Sequence, residues 1–140
     1  MKQFEFLEHT ADIIIKATGD TIEEAFASAA EGLFACITEL SLIDPLVEIE
    51  FEVESIDRQG MLVAFLSKLI YIHEVDRMVF CDFRITFEDE NKLTAICYGE
   101  KYDDAKHDPG MHVKGVSYHM LEIINKNNSG LATVQVLIDV

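Results

Sequence analysis

The apolar and polar positions of this chain change period several times, and each change marks an element. Phe4 to Leu7 and Asp12 to Ala17 read as short strands, with Gly19-Asp20 as the turn that ends the second. Thr21-Ile-Glu-Glu24 then fits a capping box, in which Thr21 accepts from the amide of Glu24 and the Glu24 side chain returns toward the cap. Ala25, Phe26, Ala29, Ala30, Leu33, Phe34 and Ile37 follow at helical spacing, which predicts a helix with one apolar stripe laid against a sheet. Asp44-Pro45 breaks the chain. Val47, Ile49, Phe51 and Val53 alternate with Glu48, Glu50, Glu52 and Glu54, the period of two that gives a strand one buried and one acidic face.

A second helix is predicted from about Asp57 to Val75, because Met61, Leu62, Phe65, Leu66, Leu69 and Ile70 mark one face. Phe83, Ile85 and Phe87 alternate with polar residues, Glu88 to Lys92 reverses the chain, and Leu93 to Tyr98 completes an antiparallel hairpin. Val113 to Ile124 and Leu131 to Asp139 flank the turn-forming Asn125-Lys-Asn-Asn-Ser-Gly130, which lays the last strand beside a preceding one. This order predicts an α+β fold: a two-layer single domain spanning 1–140, with a mostly antiparallel sheet packed against two helices. No repeat, low-complexity tract or linker interrupts it.

Composition narrows the function classes. With 140 residues and 49% hydrophobic positions, the chain suffices for one domain with a real core. Its 26 acids against 11 Lys and Arg give a formal charge of -15, which repels phosphate backbones and anionic membranes and favours basic partners. Autonomous nucleic-acid binding and membrane association are therefore not expected. Cys36, Cys81 and Cys97 form no Cys-x-x-Cys pair and lie within apolar runs, so they read as core thiols of a reducing compartment. An acidic opening with only a short apolar stretch predicts no signal peptide, and no run of about 18 apolar residues predicts a membrane span. A cytoplasmic location is expected.

Two acids stand in odd places. Asp12 directly precedes Ile13-Ile14-Ile15, and the apolar run Leu131 to Ile138 ends in Asp139 before Val140. Carboxylates beside apolar strand residues lose hydration unless a cation or several donors meet them. If the fold unites the two, a hard metal ion is the natural partner; if not, each merely caps a neighbouring turn. The four glutamates of the alternating strand are open to two readings as well, a docking face for a basic protein or a solvated face that discourages edge aggregation. From Gly99 to His119 the chain gathers Lys101, Lys106 and Lys114 with His107, His112 and His119, and Asp108-Pro109-Gly110 offers a turn that brings Lys106 and His107 toward Lys114. Such a basic spot suits a phosphate, a nucleotide or an acidic partner patch, and an ordinary exposed loop fits equally. The histidine spacing matches no zinc motif, and no Gly-x-Ser-x-Gly, Walker loop or Gly-x-Gly-x-x-Gly is present.

Several motifs, taken together, resemble the archease family. They are Glu8-His-Thr-Ala-Asp12, then Gly19-Asp-Thr-Ile-Glu-Glu-Ala-Phe26, Gly99-Glu100 to Lys106-His107, Val113-Lys-Gly-Val-Ser-Tyr-His119 and Val136-Leu-Ile-Asp-Val140, in the family's order. Gly115 departs from the more usual Ala and puts no proposed ligand in doubt. The resemblance implies an accessory protein, not an enzyme in its own right, that activates an RtcB-type tRNA-splicing RNA ligase. It would promote guanylylation and multiple turnover of the ligase and broaden its nucleotide use. It further implies Asp12, Asp139 and the main chain of Val140 as metal ligands, with calcium or another hard divalent cation bound. Lys106, His107, Lys114 and His119 are candidate partner or nucleotide contacts, and no catalytic residue is expected. Two other functions stay open: a chaperone-like modulator of a tRNA methyltransferase, and a metal-dependent phosphoester hydrolase using Asp12, Asp139 and a histidine.

Overall fold

Each alternating stretch becomes an antiparallel strand, and the strands divide between two sheets. The computed structural model describes residues 2–9 and 12–140. Thr10 and Ala11 of the first family motif, like Met1, lie outside the described residues. The elements run β1 (Gln3–His9), β2 (Asp12–Gly19), α1 (Ile22–Ile37), a short 3-10 turn at Leu40–Leu42, and β3 (Val47–Glu54). They continue with α2 (Arg58–Asp76), β4 (Met78–Asp89), β5 (Lys92–Lys101), β6 (Gly115–Ile124) and β7 (Ala132–Asp139). One sheet has the order β1-β2-β7-β6 and the other β3-β5-β4. The expected α+β domain is thus present, with the last strand lying between β2 and β6.

Both helices start where a side chain satisfies an otherwise orphaned amide. Thr21 accepts from Glu24 at 3.2 Å, and Glu24 Oε1 takes the amide of Asp20 at 3.5 Å. Asp57 accepts from Gly60 at 2.7 Å and so opens α2 one residue later than its apolar pattern suggests.

Periodicity predicts one apolar stripe on α1, yet the helix is buried on nearly every side. It packs on β1, β2 and β7 of one sheet and on β4 of the other, while α2 packs on β6 as well as β3, β4 and β5. The physical reason is visible in its sequence: Ala25, Ala27, Ala29, Ala30 and Gly32 between the large residues let backbones approach from both sides. Phe34 stands edge-on to Phe80 with centroids 5.5 Å apart and stacks on Phe83 at 5.9 Å. Phe26 similarly meets Phe65 of α2 and Phe87 of β4. Cys36 and Cys97 are buried free thiols, and Cys81 is half-buried and free.

On β3 the glutamates face solvent while Ile49, Phe51 and Val53 pack against the core. β3 pairs with β5, at the edge of its sheet, and Glu52 reaches Lys92 at 3.3 Å. The acidic row is a solvated face whose charges guard an edge strand.

Candidate functional site

The register of β2 against β7 sets Asp12 directly opposite Asp139, followed by Ile13 opposite Ile138 and Ile14 opposite Leu137. Directly opposed residues share a sheet face, so the two carboxylates meet at the end of the sheet. Asp139 has its acidity weakened, first by a hydrogen bond with Asp12, then by desolvation and by repulsion from the Asp12 charge, with Lys114 pulling the other way. Two carboxylates that share a hydrogen bond call for a shared proton or a cation. β6 completes the corner. Gly115 pairs with Asp139 on its far side, and the Lys114 amide donates to the Asp139 carbonyl at 2.8 Å. Val140 is half-buried against the core, which holds the chain's last peptide at the same corner. Among the described residues no group of three or more His, Cys, Asp and Glu converges as a metal-ligand set. A cation here would therefore depend on two carboxylates and on main-chain oxygens.

The basic stretch that follows β5 is drawn into the chain's own acids. Lys101 Nζ donates to the Asp76 carbonyl at 2.7 Å, and His112 pairs with Glu74 at 3.1 Å. Lys106 Nζ lies 2.6 Å from Asp44 and 2.8 Å from Glu100. His107 is fully buried: its Nδ1 accepts the Asp103 amide at 2.9 Å, which leaves Nε2 to donate to Glu100 at 3.0 Å. Glu100 also accepts the Asp44 amide at 2.8 Å. Desolvation pushes the Glu100 carboxyl up, but Lys106, the Asp44 amide and His107 outweigh it and hold the group at about 2.

The turn at Asp108-Pro109-Gly110 consequently does something other than bring Lys106 and His107 to Lys114. The Gly110 and Met111 amides donate to Ile37 and Cys36 carbonyls at the end of α1, at 2.9 and 2.7 Å. A Cβ at Gly110 would collide with the Cys36 carbonyl, so this approach requires glycine. Residues 102–114 form a strap from one sheet to the other, pinned at Glu100, at α1 and at Asp139. Lys106 and His107 belong to its first anchor, and Lys114 to the acid corner. Lys106 and His107 are thus paired with the chain's own acids.

His119 sits in an irregular part of β6. Ser117 pairs with Leu137 and Glu122 with Gln135, so β6 spends five residues where β7 spends two, a bulge of three extra residues. Within it Met120 has φ +62°, the His119 amide donates to Ser117 Oγ at 3.0 Å, and Gln135 Nε2 donates to the Met120 carbonyl at 2.9 Å. Sequence reading met Asp44 as a chain break and Glu100 within a family motif without giving either a role, and did not single out Gln135. An acid at the end of the otherwise buried alternation of β5 was the available signal for Glu100.

The two sheets around a helical layer, with an acid pair at a strand end as the chief chemical feature, define a small two-sheet α+β protein. Comparison with known proteins makes that class specific. Residues 4–140 match the model of the Archease protein family (MTH1598/TM1083). Protein archease of Pyrococcus furiosus is 43% identical over 126 residues, covering 88% of this chain and 89% of that protein. Protein archease of Sulfolobus acidocaldarius is 35% identical over 141 residues and spans both chains fully. The solution structure of Methanobacterium thermoautotrophicum protein 1598 superposes with a TM-score of 0.80 at 32% identity, covering 98% of each chain. A Thermotoga maritima crystal structure described as an archease, possible chaperone shares the fold with a TM-score of 0.65 at 18% identity. The chain belongs to the archease family. Among its described residues no helix is long and apolar enough to cross a membrane.

Proposed function

We propose that this protein is a cytoplasmic accessory protein that activates an RtcB-type tRNA-splicing RNA ligase, promoting its guanylylation and multiple turnover and broadening its nucleotide use. The observation that carries the reading is the opposition of Asp12 and Asp139 at the exposed end of the sheet. Two carboxylates at close range, with main-chain oxygen nearby, suit a hard cation with oxygen ligands better than a thiophilic one. Asp12, Asp139 and the main chain of Val140 would hold it, with calcium as the ion the family resemblance suggests. Such an ion supplies positive charge able to meet phosphate oxygens. Lys114 adds a cation beside Asp139, and the formal charge of -15 favours docking on a basic RNA-handling enzyme.

The test is multiple-turnover ligation by an RtcB-type ligase from the same source, with GTP and divalent cation, with and without this protein. Wild type stimulates turnover, and folded Asp12→Ala and Asp139→Ala variants do not. Full stimulation by both variants would sink the metal corner as the working site. Absence of stimulation by wild type would overturn ligase activation and turn attention to a chaperone-like role toward another tRNA-modifying enzyme.

A further inference from the structure

The bulge of β6 is an expensive irregularity that the sheet does not need. A plain register would join Ser117 to Glu122 with three fewer residues, yet the chain inserts Tyr118 to Leu121 and accepts a left-handed Met120, a conformation unfavourable to any side chain with a Cβ. The insertion leaves two large side chains exposed, Tyr118 at 62% and Met120 at 42%, with the Tyr118 hydroxyl lying over Gly60 at the start of α2 and Leu121 turned in against the core. It is also held in place. Gln135 follows Asp139 and Leu137 on one sheet face, and its side chain donates to the Met120 carbonyl, so the Met120 end of the bulge leans over the face that carries the acid pair. On that face Ile14 and Leu137 are 4% and 3% exposed, although they point away from the helical layer and stand outside the main core.

An exposed aromatic and a methionine on a fixed, strained projection have the make-up of interface anchors. The surrounding charge selects the occupant. Asp12, Asp139, Glu5 and Glu122 lie on or beside this face against Lys16 and Lys114, so the face keeps an excess of acid, and a second copy of a chain with formal charge -15 would meet like charge. We propose that the Tyr118–Leu121 bulge is the element by which this protein enters a cationic protein partner, and that Gln135 is a positioning residue that sets its angle beside the acid pair. The inference rests on the proposed ligase reading and supplies its contact surface.

The experiment titrates the wild-type protein and its variants into the ligation assay and separates half-maximal concentration from maximal turnover, with direct calorimetric binding to the ligase in parallel. Tyr118→Ser, Met120→Ser and Gln135→Leu each raise the half-maximal concentration and the dissociation constant by about tenfold or more. Their maximal turnover stays near wild type, whereas Asp139→Ala lowers the maximum. Met120 and Tyr118 are exposed, and unfolding temperatures recorded beside the binding data separate a lost contact from a lost fold if Gln135→Leu destabilises the sheet. Unchanged binding by Tyr118→Ser and Met120→Ser overturns the bulge as contact surface while leaving ligase activation standing. A wild-type protein that neither binds nor stimulates the ligase overturns the reading itself, and the inference with it.

Discussion

His107 Nε2 lies 3.0 Å from Glu100 Oε2, and through this one contact a residue buried in the strap is fastened to the end of β5. Glu100 receives Lys106 and the Asp44 amide as well, so the end of β5, the Asp44 segment and the strap converge on a single carboxylate. Its folded acidity is strengthened from 4.5 to about 2. A carboxyl with a lowered folded pKa stabilises the fold above its unfolded value, and that contribution drains away as pH falls from about 4.5 toward 2. Glu100→Gln is expected to cost about 1–3 kcal/mol at pH 7 in denaturant unfolding, the usual cost of removing a charged hydrogen-bond partner. The deficit should shrink below pH 4. A loss that is equally large at pH 3 and pH 7 would contradict the charged network.

The acid pair has the opposite sign. Asp139 has a raised pKa, so its ionisation beside Asp12 opposes folding once pH rises through that value. Asp139→Asn is therefore expected to raise the unfolding temperature of the cation-free protein at pH 7, with the gain disappearing in acid. Calcium should reverse the order, because binding to the native state stabilises wild type by mass action and has less to bind in the variant. Differential scanning with and without calcium reads both effects. A variant that gains as much from calcium as wild type would remove Asp139 from the ligand set.

The amino-acid pattern made most elements legible because their periods are clean. β3 alternates along its whole length, both helix caps are Thr or Asp, and Asn125 to Gly130 turns the chain as its composition demands. Two things were hidden. Small residues around α1 blur a stripe into all-round burial, so the sequence cannot say that a second sheet covers the helix. Likewise, Lys106 and His107 look like an offered cationic site until the fold sets Asp44 and Glu100, 62 and 6 residues away from Lys106, against them. The pairing of Asp12 with Asp139 across nearly the whole chain is a matter of strand order, which local periodicity does not encode.

Phe34 offers a test of the helical layer. It is fully buried and makes ring contacts with Phe80, Phe83 and His73. Phe34→Ala removes these contacts and leaves a cavity that two flanking sheets cannot close, so a loss of about 3–5 kcal/mol is expected. Urea unfolding with an unchanged slope measures it. A loss below about 1 kcal/mol would mean that the layer relaxes freely around the helix.

The thiols give the last prediction. Burial pushes Cys36 up to about 11 and Cys97 up to about 12, and Cys81 is raised by burial and then by the charges of Asp82, Asp44, Glu100 and Glu31. Since the thiolate is the reactive form, none of the three is activated in the native fold. A water-soluble disulfide reagent at pH 7.5 should label Cys36 and Cys97 no faster than the chain opens, with Cys81, half-buried at the strand surface, labelled first. Denaturant should then expose all three at similar rates. Rapid native labelling of Cys97 would show that β5 opens locally, and because β5 carries Glu100 at its end, the same opening would loosen the strap that leads to Lys114 and the acid pair.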